Sequence, residues 1–151
     1  MLGAVRFVHF VALAVWVGEI VFFSFVVAPA LFGVLGAERA APVLATIFPR
    51  YYAIGAAAAA LALGTAAILQ RHARGWWTGA VVAVAVGLVA TAWAGGVVHP
   101  RAQRLRVAAE AAGRAPGDDP AFQAAHRTAV ALNVVALLAG LAAIGASAAG
   151  E

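Results

Sequence analysis

Residues 76–98 read WWTGAVVAVAVGLVATAWAGGVV and contain no acidic or basic side chain. A helix needs about 20 mostly apolar residues to cross the ~30 Å hydrocarbon core of a bilayer. The stretch therefore predicts a membrane-spanning helix. Trp76 and Trp77 at its start are expected among the lipid headgroups, where tryptophan is enriched.

Three further stretches have the same character, at residues 5–32, 51–69 and 128–148. The 151-residue chain is 65% hydrophobic and 11% charged, whereas soluble domains are about 45–50% apolar and about 25% charged. A chain of this size cannot bury so much apolar surface in its own core. We therefore predict an all-α integral membrane protein, a four-transmembrane-helix up-and-down bundle that forms one domain over residues 1–151.

The segments between the spans carry turn and capping signals. Asp119-Pro120 reads as an N-cap followed by proline at the first helical position, so the fourth helix is expected to begin near Pro120. Pro49 is expected at the mouth of the second helix, and Pro29 should bend or end the first run. Residues 101–114 interleave arginines with Leu, Val and Ala, which predicts a short amphipathic helix on the headgroups. A plain solvated helix is the alternative.

Arginine placement predicts the orientation of the bundle in an inner membrane. One face carries Arg6, Arg71 and Arg74, and the other carries Arg39, Arg50, Arg101, Arg104, Arg106, Arg114 and Arg127. Because cytoplasmic segments are enriched in Lys and Arg, the second face is expected in the cytoplasm. Both termini would then be extracytoplasmic.

Several functional classes are disfavoured by what the sequence lacks. There is no cysteine, which excludes a disulfide scaffold, a thiolate metal site and a cysteine nucleophile. GxGxxG, Walker, HExxH and GxSxG motifs are also missing. The sequence thus favours a protein that is not an enzyme while leaving the question open. The expected partner is the bilayer, including anionic headgroups, and not nucleic acid.

Glu19 lies deep in the first span, where a carboxylate costs roughly 2.5–3.5 kcal/mol to insert. It shares a helical stripe with His9 and Trp16, and this stripe should face the bundle. Because burial disfavours the ionised form, we expect Glu19 to be mainly protonated, or paired with a group from another subunit. It is expected to form a polar layer with Asn133 and Thr91 and to hydrogen-bond one of them or a backbone carbonyl. A proton or cation site is the alternative.

The four histidines divide evenly between the two faces. His9 and His72 belong to the first face, and His99 and His126 belong to the Arg-rich face. A histidine pair on each side of a helical bundle is what a transmembrane di-haem protein needs. Haem b or copper held by these histidines is therefore one hypothesis for the function.

A second hypothesis places a polar site on the Arg-rich face, for an ion, an anionic headgroup or a small ligand, in transport or as an accessory. Its candidate residues are Phe48, Pro49, Arg50, Tyr51, His99, Arg101, His126 and Asn133. We expect them to form one cluster because aligned helix ends bring their segments together. A third hypothesis is a structural subunit of a larger membrane complex or of a homo-oligomer.

Over almost its whole length the chain resembles the transmembrane-protein-205-like domain family, a small four-helix membrane family of unknown function. The resemblance rests on an ordered set of short motifs that includes His9, Trp16, Gly18, Pro29, Phe48, Pro49, Tyr51, Pro100, Arg101, His126 and Asn133. It implies the fold but no reaction, and Glu19 lies outside the pattern. The chain is also similar to copper-resistance-D-type membrane proteins and to the four-helix protoporphyrinogen oxidase, which has a histidine early in its first helix and binds haem.

Overall fold

A computed structural model describes residues 1–73 and 75–150, and every regular element in that part of the chain is helical. The elements are α1 Leu2–Phe22, α2 Ala28–His72, α3 Trp76–Trp93, α4 His99–Ala111, a 3₁₀ turn Pro116–Asp118, and α5 Pro120–Ala149. Three helical stretches, Leu2–His72, Trp76–Ala111 and Pro120–Ala149, are long and apolar enough to cross a membrane. The predicted all-helical class is confirmed, and so is the presence of helices suited to a bilayer.

The first of these stretches is folded back on itself. Gly36, inside α2, has φ +70° and ψ 168°, a backbone conformation that favours glycine because it has no Cβ. On either side of this turn, α1 and the later part of α2 lie next to each other in opposite directions. His9 contacts Thr65, and further along α1 the Phe23 ring packs on Tyr51 with 5.0 Å between ring centroids. The two segments form a helical hairpin.

The helices α3 and α5 pack closely along their length through small residues. Gly79 faces Ala146, and eight residues later Gly87 faces Ala139, so the two helices run antiparallel. A Cβ at Gly87 would also collide with the Trp16 ring of α1. Small residues let helix backbones approach closely in lipid, where apolar side chains alone give little preference for helix over lipid.

The segment before Tyr51 is the main correction to the sequence prediction. Residues 33–50 were expected as a connection with Pro49 opening the next helix, but they are helical except at Gly36. Both Pro42 and Pro49 lie inside α2. Each proline removes one N–H donor from the helix. The neighbouring alanines have a high helix propensity, which favours the remaining helical hydrogen bonds.

Two five-residue π-helical stretches join consecutive helices. Phe23–Val27 joins α1 to α2 and ends two residues before Pro29, and Ala94–Val98 joins α3 to α4 and ends two residues before Pro100. In a π turn each N–H bonds to the carbonyl five residues back, so the face that the following helix presents is shifted. Pro29 was predicted to bend or end the first run. It does not end the helix, because a π turn precedes the proline and the helix continues through it.

The start of α5 is confirmed. The Asp119 carboxylate accepts hydrogen bonds from the backbone N–H groups of Ala121 at 2.8 Å and Phe122 at 3.1 Å, with Pro120 at the first helical position. This N-cap fixes the start of α5, near which Gln123, His126 and Arg127 lie.

The short helix predicted over residues 101–114 is present as α4. It begins at His99, is continuous with α3 through the second π-helical stretch, and ends at Ala111. Gly113 follows with φ +67°, which suits a residue without a Cβ at a helix end. Because α4 packs on α5, it forms one wall of the site described below.

Candidate functional site

Two groups of polar side chains lie inside the bundle, near its two ends. The first, the His9 cluster, consists of His9, Ala62, Thr65, Trp77 and Ser147. The second surrounds a cavity between the end of α1, the first part of α2, α4 and α5. The two differ in how far their hydrogen bonds are completed within the chain.

The imidazole of the His9 cluster is fully hydrogen-bonded, although the buried Trp77 Nε1 has no partner among the described residues. The His9 ring is fully buried, with Nδ1 at 3.0 Å from Thr65 Oγ1 and 3.1 Å from the Ala62 carbonyl oxygen. Its Nε2 lies 2.9 Å from Ser147 Oγ, and the Trp77 ring stands edge-on with 5.4 Å between ring centroids. One histidine thus joins α1, α2 and α5 and contacts α3.

The hydrogen-bond roles in this cluster fit a neutral imidazole with its proton on Nδ1. Thr65 donates its hydroxyl to the carbonyls of Leu61 and Ala62, which leaves its oxygen to accept from His9 Nδ1. Nε2 can then accept from the Ser147 hydroxyl. Both ring nitrogens are committed, so a metal could bind His9 only after one of these buried bonds is broken. His9 has a structural role in this arrangement.

The cavity has a volume of about 1160 Å³, slightly above the ~300–1,000 Å³ that is usual for small-ligand sites. Five of the residues that the sequence analysis proposed for a polar site line it: Phe48, Tyr51, His99, His126 and Asn133. They come from α2, α4 and α5. The expectation that these segments lie close together agrees with this geometry.

Aromatic rings form the inner wall of the cavity. The Phe48 ring is central, with ring centroids 5.2 Å from Phe23, 5.9 Å from Tyr52 and 5.2 Å from His99. Tyr51 also contacts Phe23 and Phe48. His99 therefore stands against an apolar wall, with one face towards the rings.

A short hydrogen-bonded bridge crosses the deeper part of the cavity. The Tyr51 hydroxyl donates to Asn133 Oδ1 at 2.8 Å, and Asn133 Nδ2 donates to Ser24 Oγ at 3.4 Å. Ser24 lies in the first π-helical stretch, so the bridge connects the end of α1, α2 and α5. All three residues line the cavity and are in place to contact a ligand.

Two arginines proposed from the sequence lie elsewhere. Arg50 donates from Nη1 to the Thr46 carbonyl at 3.2 Å at an exposed position, and Arg101 is exposed on α4. Neither is part of the cavity lining.

The charged residues that do line the cavity were missed by the sequence analysis. They are Glu38, Arg106, Glu110 and Arg114. The uncharged amide of Gln103 lines the cavity as well. On α4 the lining positions 99, 103, 106 and 110 follow each other at steps of four, three and four residues. This is one face of a helix, so extending the stripe from His99 could have identified Arg106, whereas Arg101 falls on another face.

Glu19 faces the interior near the middle of the hairpin, but its predicted hydrogen bond is wrong. Among the residues that the structure describes, no hydrogen bond or ion pair joins its carboxyl group to Asn133, Thr91 or a carbonyl oxygen. Asn133 is already bonded to Tyr51. The carboxyl group instead packs against Gly55, where a Cβ would collide with Oε1 and would lie 3.5 Å from Thr91 Cγ2.

The remaining histidine, His72, is exposed at the end of α2. Arg74, which the sequence analysis assigned to the same face, lies outside the described residues. Within residues 1–73 and 75–150, no group of three or more His, Asp and Glu side chains is placed to hold a metal ion.

Comparison with known proteins gives a family but no activity. Residues 11–111 match the model of a domain of unknown function, DUF4149, which covers more than half of the chain. No curated protein and no solved structure matches the chain. The matched region includes α1 from residue 11 onwards, the His99 stripe of α4 and the aromatic wall of the cavity, while the start of α1 with His9 and all of α5 lie outside it. The chain therefore belongs to the DUF4149 family of domains of unknown function.

Proposed function

We propose that this protein is a multi-pass inner-membrane protein with four crossings and a ligand site at its Arg-rich end. The 71-residue stretch Leu2–His72 would be about 106 Å long as a straight helix, more than three times the ~30 Å hydrocarbon core. Its reversal at Gly36 supports two crossings for this stretch. One crossing each by α3 and α5 completes an up-and-down bundle, which is also the arrangement of the transmembrane-protein-205-like family.

The orientation follows from the seven-to-three distribution of arginines between the two faces. We expect the termini outside and the cavity mouth in the cytoplasm. Reporter fusions at Glu151 test this, because alkaline phosphatase is active only outside the cytoplasm and green fluorescent protein fluoresces best inside it. A fusion that fluoresces and lacks phosphatase activity would reverse the orientation.

We further propose that the cavity binds a small molecule or headgroup that carries an acidic group, in transport or as an accessory protein. The observation that carries this proposal is that a single cavity of about 1160 Å³ is lined by His99, His126, Asn133 and Arg106. A few polar groups in an otherwise apolar pocket are typical of small-ligand sites. No catalytic role is assigned to these residues.

Native mass spectrometry of the purified protein tests whether the cavity holds a ligand. Ala129 lines the cavity, whereas Ala131 lies on the same helix, is exposed and is not part of the lining. We expect a bound small-molecule mass on the unmodified protein and on Ala131→Phe, and its loss in Ala129→Phe. Equal loss in both variants, or no bound mass at all, would contradict a ligand site here.

A redox protein that holds haem or copper is the second candidate, and one observation favours it. His99 and His126 line the same cavity from α4 and α5, so both imidazoles border a space that a cofactor could share. His9 does not fit this role because both of its ring nitrogens are hydrogen-bonded. An absorbance spectrum and a copper assay of the purified protein separate the two candidates. A Soret band, or stoichiometric copper, that His99→Ala abolishes would support the redox protein, and the lack of both favours the acidic ligand.

A further inference from the structure

The cavity changes in polarity along its length. On α5 its lining runs from Phe122 to Leu137, sixteen residues whose fifteen steps span about 22 Å at 1.5 Å per residue. Ile20 and Leu137 lie at the deep end, while Arg106 and Arg114 lie at the end nearest the 3₁₀ turn. The space is therefore long, apolar at the bottom and charged at the mouth.

Arg106 has hydrogen-bonding capacity to spare at this mouth. Its side chain is 14% exposed, and its Nε donates to Gln103 Oε1 at 3.2 Å. One guanidinium nitrogen lies 3.6 Å from Glu110, whose own side chain is 50% exposed. A guanidinium has five N–H donors, so these two contacts leave donors for the bidentate geometry that arginine forms with carboxylate and phosphate groups.

The apolar part of the cavity is open towards the region that lipid would occupy. Phe25 is 70% exposed, and Val130 and Val134 are each 50% exposed, although all three line the cavity. Phe25 lies in the first π-helical stretch and the two valines lie on α5, so the lining reaches the outer surface on both elements. In a membrane-spanning bundle, such exposed apolar lining is accessible from the bilayer.

We propose that the occupant of the cavity is a membrane amphiphile, an apolar chain whose head carries a carboxylate or a phosphate. The head lies at Arg106, and the chain extends along Phe23 and Phe48 towards Leu137. The Tyr51–Asn133 bridge lies beyond the head, in the deeper part of the cavity and beside the chain. This inference rests on the proposed ligand site and adds the chemical class of its ligand.

Binding of tritiated oleate to the full-length protein in dodecyl maltoside tests the proposal. Unlabelled oleate and phosphatidylglycerol should compete, because each combines an acidic group with a chain. Oleyl alcohol has the chain without the acid, and inorganic phosphate has the acid without the chain. We expect both to compete about tenfold more weakly or worse, because oleyl alcohol lacks the charged hydrogen bonds to Arg106 and inorganic phosphate lacks the apolar contacts of the chain.

Two pairs of matched variants locate the head and the chain. Arg106→Gln should weaken oleate binding about tenfold or more, while Arg104→Gln, exposed on the same helix and outside the lining, should leave it unchanged. Ala129→Phe should block binding, and Ala131→Phe should not. Circular dichroism melts of all four variants confirm that they are folded, and the Ala129 pair decides the question if Arg106→Gln is unfolded.

The failure of this inference differs from the failure of the proposed function. If inorganic phosphate competes as well as oleate, or if oleyl alcohol does, the amphiphile with an acidic head is wrong while a ligand site remains. If the unmodified protein binds no oleate yet carries another mass that Ala129→Phe removes, the ligand class is also wrong. If there is neither oleate binding nor a bound mass, the ligand site itself is refuted.

Discussion

The His9 cluster and the cavity both gather polar side chains from α1, α2 and α5, but only the cavity leaves room for another molecule. In the His9 cluster both ring nitrogens of His9 are hydrogen-bonded to Thr65 and Ser147, although the buried Trp77 Nε1 has no partner among the described residues. Around the cavity, Phe48 and Arg106 line a space of about 1160 Å³. The His9 imidazole has no free nitrogen to offer a ligand, whereas Arg106 at the cavity keeps N–H donors beyond its contacts with Gln103 and Glu110.

The two regions also differ in the regularity of their helix backbones. Next to the His9 cluster, α1, α2 and α5 are regular helices. The cavity lies beside both π-helical stretches, Phe23–Val27 and Ala94–Val98. Such stretches recur at functional sites in helical proteins because the extra residue re-aims the side chains that follow. In this chain they direct Ser24 towards Asn133 and begin the His99 stripe.

The largest expected effect comes from disrupting the His9 cluster. His9→Ala removes hydrogen bonds to Thr65 and Ser147 and leaves a void in the packed interior, so the free energy of unfolding should fall by about 2–4 kcal/mol. The matched variant is His126→Ala, because His126 is exposed at the cavity and should change stability by less than about 0.5 kcal/mol. Denaturation in mixed micelles, followed by circular dichroism, measures both. Equal losses of unfolding free energy would contradict the structural role of His9, because His126 makes no such buried hydrogen bonds in the part of the chain that the structure describes.

Gly55 gives the next largest effect, midway between the two regions. A methyl group there collides with the Glu19 carboxyl group, the end of a flexible side chain that has to turn away, so Gly55→Ala should cost about 1 kcal/mol of unfolding free energy. Adding Glu19→Ala should relieve most of that loss, because the side chain in the way has been removed. Gly64→Ala is the control, since no atom lies within 4 Å of its added Cβ. A double variant no more stable than Gly55→Ala would contradict this packing.

Much of the fold could be predicted from composition and from local capping chemistry. Long apolar runs identify the helices, and Asp119-Pro120 marks the start of α5 because the N-cap bond is local. The assignment of residues 33–50 as a connection is wrong because it takes Pro49 as the start of the second helix, whereas the reversal depends on the single glycine Gly36. A turn with positive φ inside an Ala-rich helix has little sequence signature apart from that glycine.

The candidate site could be predicted less completely. Phe48, His99 and Asn133 were proposed because they are polar or aromatic at the ends of spans, and they do line the cavity. Arg101 was proposed from its neighbour in sequence, but position on a helix face decides which arginine points inward. The bond between Asn133 and Tyr51 joins residues 82 positions apart, so no local pattern could have shown that Asn133 is unavailable to Glu19.

An effect of about the same size tests the wall of the cavity at the start of α5. Asp119→Ala removes the N-cap bonds to Ala121 and Phe122, and it should lower the free energy of unfolding by about 1 kcal/mol. Asp118→Ala, at the exposed neighbouring position in the 3₁₀ turn, should have almost no effect. The same micelle denaturation measures both variants. If the Asp118 variant loses as much, the cap is not what fixes the start of α5.

The smallest expected change in stability is at the bridge inside the cavity. Tyr51→Phe removes the donor to Asn133 Oδ1, and hydrogen bonds between membrane helices contribute about 0.6 kcal/mol on average. Tyr52→Phe is the control, because Tyr52 lines the same wall and its hydroxyl makes no hydrogen bond within the described residues. The two variants should therefore differ by about this amount in micelle denaturation.

A double-variant cycle shows whether that difference belongs to the bridge. Replacing one partner leaves the other polar group unpaired, whereas replacing both by apolar groups of similar shape can be nearly neutral. Tyr51→Phe combined with Asn133→Leu should thus lose less than the sum of the two single losses, with the deficit reporting the coupling between the hydroxyl and the amide. Strictly additive losses would mean that the bridge adds nothing to the folded state, and that Tyr51 and Asn133 are held in place by the aromatic wall alone.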